Sequence, residues 1–429
     1  MDTIFALASA PGKSGVAVLR ISGSRAFHAG RVLAGGLPDA QRTSLRKLRD
    51  SDGSVIDEAL VLAFESPNSF TGEDCVEFQT HGSPAIIAAL MNELSALPGL
   101  RLAQPGEFTR RALENNRMDL AQVEGLADLI EAETEAQRKQ ALRTFSGELG
   151  QKVELWRKDL VRAMALLEVT IDFADEEVPE DVYPEVQELL GRVSQNLAAE
   201  SAGTHAAERI RHGFEVAILG APNVGKSSLL NRLAGREAAI TSSIAGTTRD
   251  VVEVRLDLDG LPVTVLDTAG LRETQDEIEQ IGISRAMARA ESADLRIILI
   301  EDGRLPSGLG VADDDILVQA KSDILPSSSE FAISSVTGRG IDRLVKAVSH
   351  RLSLRAASAG TATHVRHRLA ISSAVESLDL AKTKISEGFP VELVIEDLRQ
   401  ALVDLESLIG RVGVEQVLDE IFASFCLGK

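Results

Sequence analysis

The 429-residue chain is poor in aromatic side chains: Phe, Trp and Tyr together make up 3%, with one Trp and one Tyr. Rows of rings on which successive bases stack are therefore excluded as its main hold on a single strand. It has two cysteines, Cys75 and Cys426, far apart in sequence. They make neither a disulfide framework nor a cysteine-rich zinc site, and they fit a reducing cytoplasm. Positive charge is short as well, with 45 Lys and Arg against 65 Asp and Glu and a net charge of −20. A uniformly basic coat for nucleic acid is thereby excluded. No apolar run approaches the roughly 18 residues that span a membrane, so no membrane partner is expected. The start, MDTIFALASAPGKSG, lacks the basic flank of a signal peptide.

What is present is ordinary for a globular protein, 44% hydrophobic and 26% charged. At roughly 100–200 residues per domain the length suggests two to four domains. Residues 1–118 mix strand-like runs (GVAVLRISG, ALVLAFES, CVEFQTHG) with turns and one helical stretch, PAIIAALMNEL, and read as a small α+β domain. Over 119–212 apolar residues recur at helical spacing, as in Leu120, Val123, Ala127 and Ile130. Residues 213–356 alternate strand and helix signals, and the helical period returns over 357–429. A compact domain with neighbouring ends tolerates insertion into another. The two helical arms are therefore expected to form one discontinuous α-helical domain, with the α/β block, built on a mixed, mostly parallel sheet, inserted between them.

Within that block, EVAILGAPNVGKSS carries Gly220-x-x-x-x-Gly225-Lys226-Ser227 between an apolar run and a helical one. This is a P-loop in its required strand–loop–helix setting. Its glycines let backbone N–H groups curl around phosphate, the helix N-terminus faces the anion, Lys226 reaches the β- and γ-phosphates, and Ser227 is placed for Mg²⁺. Gly12-Lys13-Ser14 also spells GKS, but Leu7 stands where the first glycine belongs and a strand follows, so no nucleotide site is expected there. Downstream, Asp267-Thr268-Ala269-Gly270 ends the run PVTVLD, and Gly246-Thr247-Thr248 lies between, in the order P-loop, Thr loop, DTAG. Asp259-Gly260 between VVEVRLDL and PVTVLD signals a hairpin.

Guanine specificity is read from DILVQAKSD. Lys321 and Asp323 stand where Asn-Lys-x-Asp is usual, with Ala320 in place of the Asn. The Asp323 carboxylate can accept from guanine N1 and N2, and the missing amide removes a hydrogen bond worth about 0.5–1.5 kcal/mol. Ser334-Ser335 after FAI resembles the last GTPase motif. GTP is thus expected over ATP. Leu271 follows DTAG and cannot orient water, so another group must; the segment ETQDEIEQIG offers Asp276, Glu277 and Glu279, and charge alone does not choose among them.

APNVGKSSLLNRLAGREAAI, IAGTTRD and LDTAGLRETQDEIEQIGI resemble the tRNA-modification GTPase family MnmE, also called TrmE. LRISG, PNSFTGEDCVEFQTHG, QPGEFTRRA, DLAQVEGLADLIEAET and the terminal CLGK extend the resemblance over essentially the whole chain. It implies an N-terminal domain similar to folate-binding domains that forms a homodimer, and a Ras-like G domain whose K⁺-dependent pairing across the nucleotide activates hydrolysis. GTP contacts are implied at Asn223, Val224, Gly225, Lys226, Ser227 and Ser228, and at Ser242, Ser243, Ile244, Ala245, Gly246, Thr247 and Thr248. They continue at Asp267, Thr268, Ala269, Gly270, Lys321 and Asp323. Asn223, Ser242, Ile244 and Thr247 match the K⁺ ligands, with Ser242 where Thr is common. Ser227 and Thr248 match the Mg²⁺ ligands, and Glu279 the catalytic carboxylate.

The resemblance also implies a FAD-dependent MnmG-type partner in a heterotetramer and a tetrahydrofolate derivative (5-formyl or methylene form) as one-carbon source. The product is an aminomethyl or carboxymethylaminomethyl group at C5 of the wobble uridine, position 34, of certain tRNAs. Arg20, Glu77, Arg117 and Lys429 match folate-contacting positions, Arg117 replacing a Lys of some members. Cys426 lacks an activating neighbour and reads as a small packed residue more than a nucleophile on uridine. His81 reads as a turn residue. The competing function is a GTP-switched RNA-binding or ribosome-assembly factor, which has no need of a folate site. Residues 1–50 carry eight Lys or Arg against three Asp, whereas Glu168 to Glu185 carries eight acids and no base. Local basic surface suffices for counterion release, so the net acidity leaves tRNA contact open and predicts patchy, salt-sensitive binding.

Overall fold

The computed structural model describes residues 2–172, 182–235, 252–267, 288–301, 305, 310–325, 329–412, 421, 422, 425 and 428. The chain divides into two compact units, 1–127 with 406–429, and 128–405. Among the described residues no helix is long and apolar enough to cross a membrane.

The first unit is built on a six-stranded sheet in the order β3-β4-β5-β2-β1-β6. Its strands are β1 Thr3–Leu7, β2 Ser14–Ser22, β3 Thr43–Arg49, β4 Val55–Phe64, β5 Cys75–Gly82 and β6 Leu100–Leu102. All neighbours are antiparallel except β1 and β6. Alternation assigns the faces. Leu19, Ile21, Val61, Val76 and Phe78 pack into the main core together with α1 Ala26–Ala34 and α2 Pro84–Ala96. On the other face Ile4, Ala6 and Ala103 cluster with Phe108 of α3 Glu107–Glu114.

In residues 1–118 the sequence reading expects one helix, and among the described residues of that stretch the structure has three. α1 spans nine residues and α3 eight, too short to display a helical period. β3 also escapes notice, because it is a charged edge strand with only Leu48 buried. His81 lies in β5 rather than in a turn, and its Nδ1 meets Asp57 Oδ1 at 2.8 Å.

In the second unit, α5 Glu135–Phe145, α6 Glu148–Asp172, α7 Tyr183–His212 and α10 Val365–Glu387 are helices with apolar stripes at 3–4 spacing. On α6 the stripe is Leu149, Val153, Trp156, Leu160 and Leu167; on α7 it is Val186, Leu190, Val193 and Leu197. Helices α4 Leu120–Glu131 and α11 Val391–Leu408 carry the chain between the units. The buried Glu200 on α7 fastens the segment that enters α10. Its carboxylate accepts from Thr361 N, from Thr361 Oγ1 at 2.8 Å, from Ala362 N at 2.8 Å and from Lys152 Nζ at 2.7 Å. Gly203, one turn on, lies so close that a Cβ there would sit 2.5 Å from Gly360 N.

The α/β block holds a five-stranded sheet in the order β11-β10-β7-β9-β8. It comprises β7 Phe214–Gly220, β8 Val252–Leu258, β9 Leu261–Asp267, β10 Leu295–Ile300 and β11 Ile316–Gln319, flanked by α8 Lys226–Ala234 and α9 Ile341–Ala356. All pairs are parallel except β8 with β9. Those two turn at Asp259 (φ 53°) and Gly260 (φ 85°), both left-handed as a two-residue hairpin turn requires. Ala136 N of α5 donates to Gly260 O at 2.9 Å, so the hairpin tip is tied to the helical layer. The carboxyl ends of β7, β10 and β11 lie side by side, where parallel sheets hold their ligands.

Candidate functional site

β7 ends at Gly220 and α8 begins at Lys226. At Gly220 φ is 151°, and a Cβ would lie 2.8 Å from Leu299 O of β10, so only glycine lets the strand leave so close to its neighbour. Gly225 (φ 113°) caps α8 with no atom within 4 Å of where a Cβ would stand. Asn223 is left-handed too (φ 60°) and exposed. Val224 plugs the loop into the core. Lys226 is buried, and its Nζ donates to Gly220 O at 2.8 Å and Ala221 O at 3.1 Å, back across its own loop. Ser227 and Ser228 lie exposed in the first turn of α8. The loop thus brings together Asn223 through Ser228, with a cation, exposed hydroxyls and a helix N-terminus at one end of the sheet. These groups suit a polyphosphate and its Mg²⁺, Ser227 supplying the hydroxyl.

Asp267 closes β9 opposite Ile218 of β7, so its backbone reaches the same end of the sheet. Ser242 through Thr248, Thr268, Ala269, Gly270, Asp276, Glu277 and Glu279 lie outside the described residues, as do Cys426 and Lys429.

At the end of β11, Ala320 is buried in the apolar core and its N donates to Ile300 O at 3.0 Å. Lys321 adopts φ 57°, a conformation that costs a residue with a Cβ roughly 1–2 kcal/mol. Ile324 N and Leu325 N both donate to Lys321 O, and Ser322 N donates to Ile333 O at 2.9 Å, which holds it there. Asp323 is exposed. Ser334 is fully buried; its Oγ accepts from Thr337 N at 3.1 Å and its O from Gly338 N at 2.8 Å. FAI forms a single bridge, Gln319 to Ala332, rather than a strand. Sequence reading passed over Glu301, whose Oε1 lies 2.9 Å from Lys321 Nζ. Its only signal is the register of β10 on β11, which a linear motif does not show.

In the first unit, strand pairing sets Arg20 of β2 opposite Glu77 of β5, Nε to Oε1 at 2.7 Å. The guanidinium lies 4.8 Å from the centre of the Phe70 ring and 5.7 Å from that of Phe108. The Arg117 stem lies beside Gly72, where a Cβ would stand 3.1 Å from its Cγ. A half-buried acceptor, a cation and two rings on one sheet face suit a flat heterocycle with N–H donors. Sequence reading also passed over an ionic network centred on the buried Arg111 of α3. Arg111, 4% exposed, donates to both Glu73 oxygens, to Asp2 O and Oδ1, and to Glu107 Oε1. Burial favours the neutral Arg111, but Glu73 and Glu107 outweigh it and hold the guanidinium above its ordinary value. Ser22 Oγ donates to Glu73 Oε2 at 2.7 Å.

A family model described as MnmE helical domain matches residues 120–426, and one described as GTP-binding protein TrmE N-terminus matches residues 3–117. The chain belongs to the MnmE family of tRNA modification GTPases. A tRNA modification GTPase MnmE of Ruegeria pomeroyi is 58% identical over 430 residues, 100% of both chains. One of Roseobacter denitrificans is 57% identical over 431 residues, again 100% of both. Among solved structures, Aquifex aeolicus Era bound to GDP·AlF4⁻ is 28% identical over 32% of this chain and 56% of that one. Its TM-score of 0.25 is too low for the superposition to carry further meaning.

Proposed function

We propose that this chain is the GTP-hydrolysing component of a complex that adds an aminomethyl or carboxymethylaminomethyl group to C5 of wobble uridine 34 in certain tRNAs. Its place among the tRNA modification GTPases makes GTP its substrate, with Mg²⁺. The observation that carries the reading is 57–58% identity over the full length of those enzymes, in a chain whose Gly220–Ser228 loop brings Lys226, exposed hydroxyls and a helix N-terminus together. In that cradle Lys226 exchanges its two carbonyl partners for phosphate oxygens, and the N–H groups at the start of α8 hold the anion in place. Ser227 holds the Mg²⁺, which neutralises charge on the phosphates.

K⁺ is proposed at Asn223, completed by Ser242, Ile244 and Thr247, where it does the charge stabilisation an arginine finger does elsewhere. Thr248 joins Ser227 at Mg²⁺, and Glu279 is proposed to act on the attacking water. Lys321 and Asp323 are proposed to select guanine. Pairing of two G domains across the nucleotide is proposed to activate hydrolysis. Residues 1–118 are proposed as the dimerisation and folate domain, 119–212 and 357–429 as one helical domain, and 213–356 as the G domain.

A reduced folate is proposed to bind at Arg20, Glu77, Arg117 and Lys429; when bound it supplies the one-carbon unit. The Glu77 carboxylate would accept from N–H groups of its heterocycle, and the Arg20 guanidinium, close to the Phe70 and Phe108 rings, would help hold it. A second copy of the chain and a FAD-dependent MnmG-type partner complete the assembly. Mass spectrometry of wobble uridines from cells lacking the protein tests the whole reading: loss of the C5 group is expected, and unchanged uridine 34 overturns it. An assembly GTPase is the alternative, and saturable binding of 5-formyltetrahydrofolate separates the two.

A further inference from the structure

We propose that Glu301 is a positioning residue at the guanine end of the nucleotide site, anchoring Lys321 in place of the amide that Ala320 lacks. The inference deepens the guanine reading and rests on it. The loop after β11 has to present Lys321 and Asp323 in a fixed relation, yet its first residue offers only a methyl group, buried among apolar side chains. What ties Ala320 to its surroundings is its backbone, donating to Ile300 O. The next residue is left-handed and therefore strained. Glu301 directly follows Ile300, which pairs with Gln319 in the parallel register. One residue beyond the last ladder pair on β10 and two beyond it on β11, the carboxylate meets the Lys321 ammonium at 2.9 Å.

The pair is 33% and 41% exposed, and such pairs contribute little to global stability. A role in folding therefore does not account for it, whereas a local role does: it fixes the direction of the one long side chain on a strained backbone. Gly220 is in register with Leu299 on the same β10, so the phosphate loop and Glu301 share one strand as their support.

The test is a set of GDP and IDP affinities on the full-length protein. Glu301→Gln is expected to weaken both about three- to tenfold and to similar extents, because the ion pair does not read the 2-amino group that IDP lacks. In an Ala320→Asn background the same change is expected to cost less than twofold, since the amide restores the anchor. Losses equal in the two backgrounds, or no loss in either, overturn the proposal. Thermal melts accompany each variant, and Glu301→Asp, one methylene shorter, reports the same geometry should Glu301→Gln unfold. Asp323→Asn, which puts an amide donor where an acceptor stood, is expected to shift preference from guanine toward xanthine nucleotides. If that shift occurs and Glu301→Gln is silent, the proposal alone falls. If it does not occur, the guanine reading falls and takes the proposal with it.

Discussion

The two candidate sites are assembled by opposite means. Around the phosphate cradle the groups are neighbours in sequence, six positions separating Gly220 from Lys226, and one loop with left-handed residues at 220, 223 and 225 aims them. Arg20 and Glu77 are 57 positions apart and meet because β2 and β5 pair. A loop site can reorganise around its ligand without disturbing a sheet. A strand site is preformed, and its geometry depends on the packing of the sheet and of α3, which carries both Phe108 and Arg111. One site therefore is expected to respond to local changes and the other to changes in the core.

That contrast can be broken most forcefully at Arg111. Replacing it with Leu leaves the part-buried Glu73 without its cation, while Glu107 and Asp2 keep Arg101, and breaking a buried ion pair costs about 3 kcal/mol. Denaturant unfolding is expected to show that loss together with loss of folate binding, while a phosphate cradle in the other unit keeps GDP; equal loss of GDP would break the comparison. Lys226→Ala is the reciprocal change. It is expected to lower GTP affinity about a hundredfold or more, some 3 kcal/mol, in nucleotide titration, with folate binding retained.

Arg20→Ala sharpens the contrast within the first unit. It removes the Glu77 partner and the group lying over two rings but leaves Arg111 in place. Folate affinity is expected to fall about tenfold, with an unfolding cost of about 1–2 kcal/mol, smaller than at Arg111. The smallest effect is at Asp128 of the second unit. Burial pushes its carboxyl up, but His364 and Arg211, at 3.1 and 2.6 Å, outweigh this and hold it below the ordinary 3.8. A depressed folded-state value means stability that is present above 3.8 and lost as pH falls through the folded value. Asp128→Asn is expected to cost about 1 kcal/mol at neutral pH, the size of a single hydrogen bond, and progressively less in acid. Urea midpoints at pH 7 and below 4 check the convergence.

The same contrast decides what the sequence could disclose. The P-loop was legible because its chemistry is confined to one run with fixed spacing, and the Asp259-Gly260 hairpin because two residues determine the turn. Leu120, Val123 and their successors disclosed helices because the period repeats over many turns. Arg20 with Glu77 became visible only through resemblance, since nothing local says which strands pair. Glu301 with Lys321, and Glu73 with Arg111, stayed hidden for that reason: each joins segments that only a register or a packed helix brings together. α1 and α3 were missed because nine and eight residues give too few turns to show a face.

The Glu200 clamp has a meaning in time as well as in space. Its Oε1 on α7 accepts from backbone N–H groups 161 and 162 positions further along. At roughly 5–20 residues per second of synthesis, α7 leaves the ribosome on the order of ten seconds before Thr361 does. During that interval α6, already made, can cover part of its apolar stripe, and the whole nucleotide-binding block is translated before the clamp can close. Newly made chains therefore pass through a stage in which the nucleotide-binding block has been synthesised and Glu200 still lacks its Thr361 and Ala362 partners.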